Sequence, residues 1–335
     1  MNKLIDKNKL SEQFKLLAKQ IAYDIDFSSG KTQMINMFRL KSIEKVIKII
    51  DNMHKKIINI DDLKGIAGIG KGTLERVAEI IKFGSLKEVK ITLENDKYLK
   101  NLEDLEEVFG IGRKMAYKLF TEHDIKSIDD LKRKFTSGEI KLPDNVVKGL
   151  KYLNLIREKI PRSEISDVND YLLDTLYNID LKLFGTVCGS YRRQFATSGD
   201  IDFVMVHEDM ITKQDTLKKN YLETFVKTLL NSSFIIDSLT GTDVHTKYMG
   251  IYKWKNGTLG RIDIRYIPYE SYYSATLYFT GPKDFNRKMR QLAINNGYIL
   301  NEYGLFKNNK MFKVKSEKDI FDLLDMEYLT PDKRY

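Results

Sequence analysis

The chain has 335 residues, 42% of them hydrophobic, so it can bury a sizeable core, and its length allows two or three domains. Lys and Arg number 56 against 47 Asp and Glu, a formal charge of +9, which fits a nucleic-acid partner. A single cysteine excludes an internal disulfide framework and fits a reducing, intracellular compartment, and no apolar run is long enough to span a membrane.

The start, Met1-Asn-Lys-Leu-Ile-Asp-Lys7, lacks the apolar core of a signal peptide. Residues 1–93 read as helical: Leu10, Phe14, Leu17 and Ile21 recur at helical spacing, as do Met34, Met37 and Phe38, then Ile43, Val46, Ile47 and Ile50. All three stripes are expected in the core. The stretch Leu63 to Ala78 holds Gly68-Ile69-Gly70 with a helix behind it, and Val108 to Ala116 repeats the pattern as Gly110-Ile111-Gly112. This is a helix-hairpin-helix pattern. The glycines allow close approach of the backbone to a DNA phosphate, the following helix N-terminus offers N–H donors, and Lys71, Arg113 and Lys114 add charge. Such contacts are sequence-independent.

Residues 94–160 continue helical, with Leu102, Leu105, Val108, Leu150, Leu153 and Ile156, interrupted by a loop at Lys141-Leu-Pro-Asp-Asn145. Residues 161–267 alternate helices and strands. Leu181 to Gly189 reads as a strand feeding a Gly189-Ser190 turn, followed by Tyr191-Arg192-Arg193. Such a turn opening a helix suits a polyphosphate, and Arg193 adds a forked donor. Asp200 and Asp202 then lie one residue apart at the head of an apolar strand, so both carboxylates leave one face. They repel unless a cation intervenes, and Mg²⁺ is the natural neutraliser. Phe234-Ile-Ile-Asp237 and Lys247 to Trp254 read as further strands. A hairpin turn at Asn256-Gly257 brings a third acid, Asp263, back beside the pair. Three acids on neighbouring strands fit two metals and in-line phosphoryl transfer. Cys188 is expected to be a buried, inert thiol, and His207 and His245 surface or capping residues. In residues 268–335, Tyr272 to Gly281 precedes a helix running from Lys283 through Arg290.

Gly189-Ser-Tyr-Arg-Arg193, Ser198-Gly-Asp-Ile-Asp202, Arg261-Ile-Asp-Ile-Arg265 and Tyr278-Phe-Thr-Gly281, in that order, resemble family X DNA polymerases, the beta type most closely. The likeness covers nearly the whole chain. It implies an α+β architecture: a helical DNA-end-binding, lyase-like domain over 1–93, a helical DNA-binding subdomain over 94–160, a nucleotidyltransferase palm with a mixed sheet over 161–267, and a thumb-like α+β nucleotide-selection subdomain over 268–335. The implied activity is template-directed filling of short gaps in DNA repair, by a monomer acting on gapped or nicked DNA and deoxynucleoside triphosphates. Its setting is the nucleus or the cytoplasm, cytoplasmic viral replication included.

By the same resemblance, Asp200, Asp202 and Asp263 are catalytic and hold two Mg²⁺ ions, with Mn²⁺ able to substitute. The nucleotide meets Lys159, Ser190, Arg193, Gly199, Asp200, Tyr278, Phe279, Gly281 and Asn286. DNA meets Gly68, Gly70, Lys71, Gly110, Gly112, Arg113, Lys114, Arg261 and Arg290. Backbone carbonyls of Lys64, Ile66 and Ile69, and of Glu106, Val108 and Ile111, hold Na⁺ or K⁺. Arg265 toggles between Asp202 and the pair Glu302 and Tyr303, and the Gly281–Pro282 bond is cis. The likeness breaks at the lyase. Arg76 stands at the Schiff-base lysine, Asn36, Leu40 and Gly72 at phosphate-binding positions where Lys64 is left, and Glu88 at a reserve lysine. A guanidinium has no free lone pair with which to attack an aldehyde, so lyase activity is expected to be weak or absent, with Lys71 the one candidate substitute. Two other readings share parts of this pattern: a template-independent nucleotidyltransferase and a DNA-end binder without catalysis.

Overall fold

The structure is a computed structural model that describes residues 6–53, 57, 59–156, 159–241 and 244–334. The first five residues of the start considered above therefore lie outside it. The chain divides into two compact units, Met1–Leu150 and Lys151–Tyr335.

The first unit is helical. Helix α1 (Lys7–Asp26) begins where the Asp6 carboxylate accepts the amides of Asn8 and Lys9. Its Leu10, Phe14, Leu17 and Ile21 are buried against Ile43, Val46 and Ile50 of α2 (Gly30–Asn52). The stripe of Met34, Met37 and Phe38 departs from expectation: these side chains are 59%, 48% and 63% exposed. Helical spacing shows that they share a face but not that another element covers it. α3 (Lys71–Phe83) closes this core with Val77 and Ile80. α4 (Leu93–Glu106), α5 (Arg113–His123), α6 (Ile128–Thr136) and α7 (Asp144–Tyr152) follow. Leu99, Leu102, Leu105, Val108, Ala116 and Leu119 are buried among them. The Asp26 carboxylate, at the end of α1, accepts from Arg113 Nη2 at 2.6 Å and from the Tyr98 hydroxyl at 3.2 Å. Residues before and after position 93 are therefore joined within one unit.

The second unit starts with β1 (Ile160–Pro161) and α8 (Arg162–Ile179), then β2 (Leu183–Val187), a one-turn α9 (Gly189–Arg192), β3 (Thr197–Ser198) and β4 (Ile201–His207). α10 (Lys213–Lys218), α11 (Tyr221–Asn231), β5 (Ile235–Ser238), β6 (Lys247–Lys253) and β7 (Leu259–Tyr266) complete its first half. The main sheet has the order β2-β4-β7-β6-β5; only β4 and β7 run parallel. The expected turn at Asn256-Gly257 joins β6 to β7, with the Trp254 amide bonded to the Thr258 carbonyl. One face of the sheet buries Ile201, Phe203, Met205, Ile262 and Ile264 under Val168 and Leu172 of α8 and Phe225 and Leu229 of α11. The other face carries Val204 and Val206 against Ala275 of α12 (Tyr272–Thr280).

α12 also lends Leu277 to a second core with Phe285, Met289 and Ala293 of α13 (Lys283–Asn295). A small antiparallel sheet, β8 (Ile299–Asn301), β9 (Gly304–Lys307) and β10 (Lys310–Met311), and α14 (Glu317–Leu323) finish that layer. The result is an α+β protein, as the sequence implies. No helix among the described residues is long and apolar enough to cross a membrane.

Packing on the helix-covered face leaves no room for added atoms at Gly185 on β2, where a Cβ would lie 2.3 Å from the Phe203 ring. Gly185→Ala is expected to destabilise the fold by about 1–3 kcal/mol. Urea unfolding that gave an unchanged midpoint would show that the ring can move aside.

Candidate active site

Strand alternation decides which side chains meet. With Ile201, Phe203 and Met205 turned into the helix-covered core beside Ile262, Ile264 and Tyr266, the opposite face receives Asp202, Arg261, Asp263 and Arg265. The parallel register sets Asp202 directly beside Asp263, and Asp200 comes two residues earlier, just ahead of β4.

Arg261 donates to Asp200 in a close ion pair, and its Nε lies 3.9 Å from Asp263 Oδ1. Burial pushes the Asp202 carboxyl up to about 7, and the charges of Asp200 and Asp263 push the same way. Burial likewise raises Asp263 to about 6, with Arg261 opposing. Asp263 Oδ1 is buried and has no hydrogen-bond donor. Among the described residues, no group of three or more His, Cys, Asp or Glu side chains is disposed to hold a metal ion. In this arrangement the Asp200 carboxylate is turned onto Arg261. Arg261, expected on DNA, serves here as the internal cation. The donor set nonetheless suits a hard divalent ion: the ligands are carboxylate oxygens, one of them orphaned, and their charges repel.

The turn beside the acids is pinned by the Cys188 amide, which donates to the Asp202 carbonyl at 2.7 Å. Gly189 has φ 57°, and a Cβ on it would lie 2.7 Å from Asp202 Oδ2, so both the backbone and the carboxylate require glycine. Ser190 Oγ donates to Ser198 Oγ at 2.8 Å. Arg193 donates through Nη1 to the Thr280 carbonyl at 2.5 Å and leaves Nε buried without an acceptor. Lys159 and Gly199 are exposed. Tyr278 and Phe279 pack edge to face at 4.9 Å. Asn286 Nδ2 donates to the Tyr278 carbonyl at 2.6 Å, and Arg290 sits 4.8 Å from the Tyr278 ring centre. Gly281–Pro282 is cis, as the proline implied. Arg265 lies over the Phe279 ring and, among the described residues, forms no ion pair with Asp202 or Glu302.

Cys188 is buried, and its thiol is pushed up to about 12 by desolvation, an inert group as expected. His207 departs from a surface role. It is buried, its Nδ1 accepts the Asp209 amide, and its Nε2 lies 3.3 Å from Asp180, so it caps a turn from inside the core.

In the first unit the two Gly-Ile-Gly loops have one geometry. Gly68 and Gly110 take φ 105° and 91°, Ile69 N bonds to Ile66 O, and Ile111 N bonds to Val108 O. Gly70 and Gly112 cap α3 and α5 with no side-chain bond, leaving the first amides of both helices open. Lys71 is 92% exposed beside Glu75 and Lys114 is exposed, whereas Arg113 is held by Asp26.

The lyase departures prove to be coupled. Arg76 Nε donates to Glu88 Oε1 at 2.5 Å, and Arg39, which sequence reading missed, reaches Glu88 Oε2 at 3.4 Å. Arg39 and Arg76 border a cavity of about 320 Å³, also lined by Ile21, Ile35, Phe38, Ser42 and Ile43, and among the described residues no lysine lines it. Lys64 instead pairs with Asp61 at the surface.

Comparisons with known proteins identify both parts of the second unit. Residues 159–269 match the DNA polymerase beta palm model and residues 275–335 the DNA polymerase beta thumb model. The chain is 31% identical over 332 residues to DNA polymerase lambda of Arabidopsis thaliana, covering 90% of this chain and 60% of that protein. To DNA polymerase lambda of Rattus norvegicus it is 26% identical over 342 residues, covering 97% and 56%. A DNA nucleotidylexotransferase of Gallus gallus is 23% identical over 353 residues, covering 97% and 67%. The chain belongs to the family X DNA polymerases, related to the beta type. It spans well under two thirds of the length of the two lambda relatives.

In metal-free protein a carboxyl raised to about 7 binds more protons folded than unfolded, so its ionisation destabilises the fold as pH rises through that window. Asp202→Asn removes this effect. In EDTA at about pH 8 the variant is expected to melt roughly a few degrees above its parent, and the gap should close as pH falls toward 4. Calorimetry finding no gap at the higher pH would mean that burial and the neighbouring charges do not raise the Asp202 carboxyl.

Proposed function

We propose that the chain is a template-directed DNA polymerase that fills short gaps, and the observation that carries this is the in-register pairing of Asp202 with Asp263 beside the Gly189 turn. Asp200, Asp202 and Asp263 would hold two Mg²⁺ ions, which when bound activate the primer 3′-hydroxyl and neutralise charge on the leaving pyrophosphate. Asp263 Oδ1, which no hydrogen-bond donor reaches, would accept the hydroxyl proton. Arg261, which pairs with Asp200 Oδ2 here, would be free to meet a phosphate of the primer strand if Asp200 turned to a metal ion.

The triphosphate meets Ser190, Gly199, Lys159 and Arg193, whose buried Nε lacks an acceptor that a phosphate oxygen supplies. Tyr278, Phe279 and Gly281 lie against the sugar, and the bulk of the aromatic pair disfavours a 2′-hydroxyl. Asn286 and Arg290 meet minor-groove acceptors shared by all correct pairs, so they test shape rather than sequence. The two glycine loops, with Lys71 and Lys114, hold the DNA backbone. The carbonyls of Lys64, Ile66 and Ile69 and of Glu106, Val108 and Ile111 offer oxygen ligands to Na⁺ or K⁺. The natural substrates are gapped or nicked DNA and deoxynucleoside triphosphates, the protein acts as a monomer, and its role is repair synthesis.

Primer extension on a one-nucleotide gap tests the assignment. Asp263→Ala is expected to reduce incorporation by at least about 10²-fold with DNA affinity kept. An inactive parent on gapped DNA, or extension of single strands without a template, would replace this reading with an end binder or a template-independent transferase.

The pairing of Arg76 with Glu88 favours a weak or absent deoxyribose-phosphate lyase, since among the described residues no lysine lines the cavity. Borohydride treatment on an incised abasic duplex is expected to trap no adduct with the parent. A strong adduct that disappears in Lys71→Ala would identify Lys71 as a replacement nucleophile and reverse the assignment.

A further inference from the structure

Arg113 opens α5 directly behind the second glycine loop, where a guanidinium could meet a DNA phosphate, yet the protein itself takes it up. Arg113 Nη2 donates to Asp26 Oδ2 at 2.6 Å and Nε to Asp26 Oδ1 at 3.4 Å, a forked pair. The Asp26 side chain is only 8% exposed, and Tyr98 of α4 donates to the same Oδ2. Burial raises the neighbouring Glu106 carboxyl, Arg113 opposes this and Asp26 adds to it, so one guanidinium serves two acids. Around the pair, Phe27 lies 5.3 Å from the Tyr98 ring and 6.1 Å from Tyr117 of α5, and Tyr98 meets Phe120 edge to face at 4.9 Å.

The same helix that ends in Asp26 also carries the first glycine loop. Along α1, Phe14, Leu17 and Ile21 share a core with Ile69 of that loop and with Val77 and Ile80 of α3. Both loops are thus tied to one rigid helix. The chain between α3 and α4, residues 84–92, has neither helix nor strand, and such a connection limits reach without fixing an angle. Apolar rings pack without strong directional preference, whereas a forked ion pair has one geometry.

We infer that Asp26 is a specificity-determining residue: by holding Arg113 it fixes the separation of the two glycine loops before DNA arrives, and that separation selects the length of gap the protein binds. The inference rests on the polymerase reading, in which both loops hold DNA backbone. Two sites on one ligand gain avidity where the spacing in the ligand matches, and lose it where geometry forbids both contacts. A short gap lets both loops engage; a longer one leaves a single loop bound. The opposing account makes Arg113 an ordinary DNA contact that Asp26 restrains. Removing Asp26 would then free a cation and tighten binding to every duplex. A contact that only stabilised α1 would lower the melting temperature and leave the ratio between gap lengths alone.

The test measures affinity of the full chain for duplexes with gaps of one and six nucleotides. It compares the parent with Asp26→Ala, Arg113→Met and the exchanged pair Asp26→Arg with Arg113→Asp, which puts each charge at the helix end that favours it. The parent is expected to bind the shorter gap at least about tenfold more tightly, the single variants to discriminate by less than about threefold, and the exchange to recover most of the preference. Spin labels at Lys82→Cys and Lys118→Cys, exposed positions on α3 and α5 in a chain whose own cysteine is buried, read the separation directly. Without DNA they should give one narrow distance in the parent and the exchange, and a broad one in the single variants. Tighter binding of both duplexes by Asp26→Ala, equal affinities in the parent, or unchanged distances in the variants would overturn the inference. If Asp26→Ala does not fold, Arg113→Met and the exchange decide by the same criteria. Neither readout needs catalysis, so a parent that incorporates no nucleotide would refute the polymerase reading while gap discrimination still decides the role of Asp26.

Discussion

The in-register placement of two buried carboxylates, Asp202 and Asp263, is the constraint around which the site of the second unit is arranged. Their proximity is a product of register: β4 and β7 run parallel with Asp202 opposite Asp263. The register is held from the far side, where Ile201, Phe203 and Met205 meet Ile262, Ile264 and Tyr266 in the core. A slip of one residue on either strand would bury a carboxylate among those side chains and expose an apolar one. The core thus fixes the site, and the site works against the core, since burial and mutual charge both raise the pKa of Asp202. Arg261, on the same face of β7, offsets part of that repulsion by pairing with Asp200. It can do so only while no other cation holds Asp200, which couples the state of the acids to the position of one guanidinium.

Much of this was legible in the sequence because it is local. Alternating apolar residues around Asp202 and Asp263 imply strands, Asn256-Gly257 implies the hairpin between β6 and β7, and the repeated Gly-Ile-Gly implies two similar loops. What escaped was which long side chain meets which. Arg261 lies two residues from Asp263, yet the acid it pairs with most closely is Asp200, just ahead of β4. Met34, Met37 and Phe38 have the spacing of core residues and stay exposed, because period alone does not supply a neighbouring element. His207 has no ligand-like spacing, and its burial follows from Asp180 and Tyr221, which stacks on it at 4.6 Å. Arg334 carried no signal at all: a basic residue outside every motif reads as surface until Glu317 is seen beneath it.

The pair Arg76 and Glu88 shows why single departures mislead. Taken one at a time, an arginine at a nucleophile position and an acid at a reserve lysine position are two losses of function. Together they form one ion pair, part-buried, with Arg39 leaning on the second carboxylate oxygen. Two lysines there would add two positive charges, whereas this pair adds none. The cavity beside it keeps apolar walls of Ile21, Ile35 and Phe38. At its rim stand two guanidinium groups, Arg39 and Arg76, neither with a free lone pair for an aldehyde.

The end of α12 shows how backbone chemistry gathers Asn286 and Arg193. A helix leaves its last carbonyls without intrahelical donors. In α12 these include Tyr278 and Thr280, and the donors that reach them are Asn286 Nδ2 and Arg193 Nη1. The negative end of the helix favours a cation there, which suits Arg193. α12 itself is anchored twice, by Ala275 against the large sheet and by Leu277 in the core with Phe285. Residues from two layers are thus drawn to one helix terminus by its unpaired acceptors. Arg193 answers the Thr280 carbonyl with one nitrogen and retains a buried, unpartnered Nε. An anionic group arriving there completes the hydrogen bonding of Arg193 and need not displace it from the helix, so the arginine can be ordered before its ligand arrives.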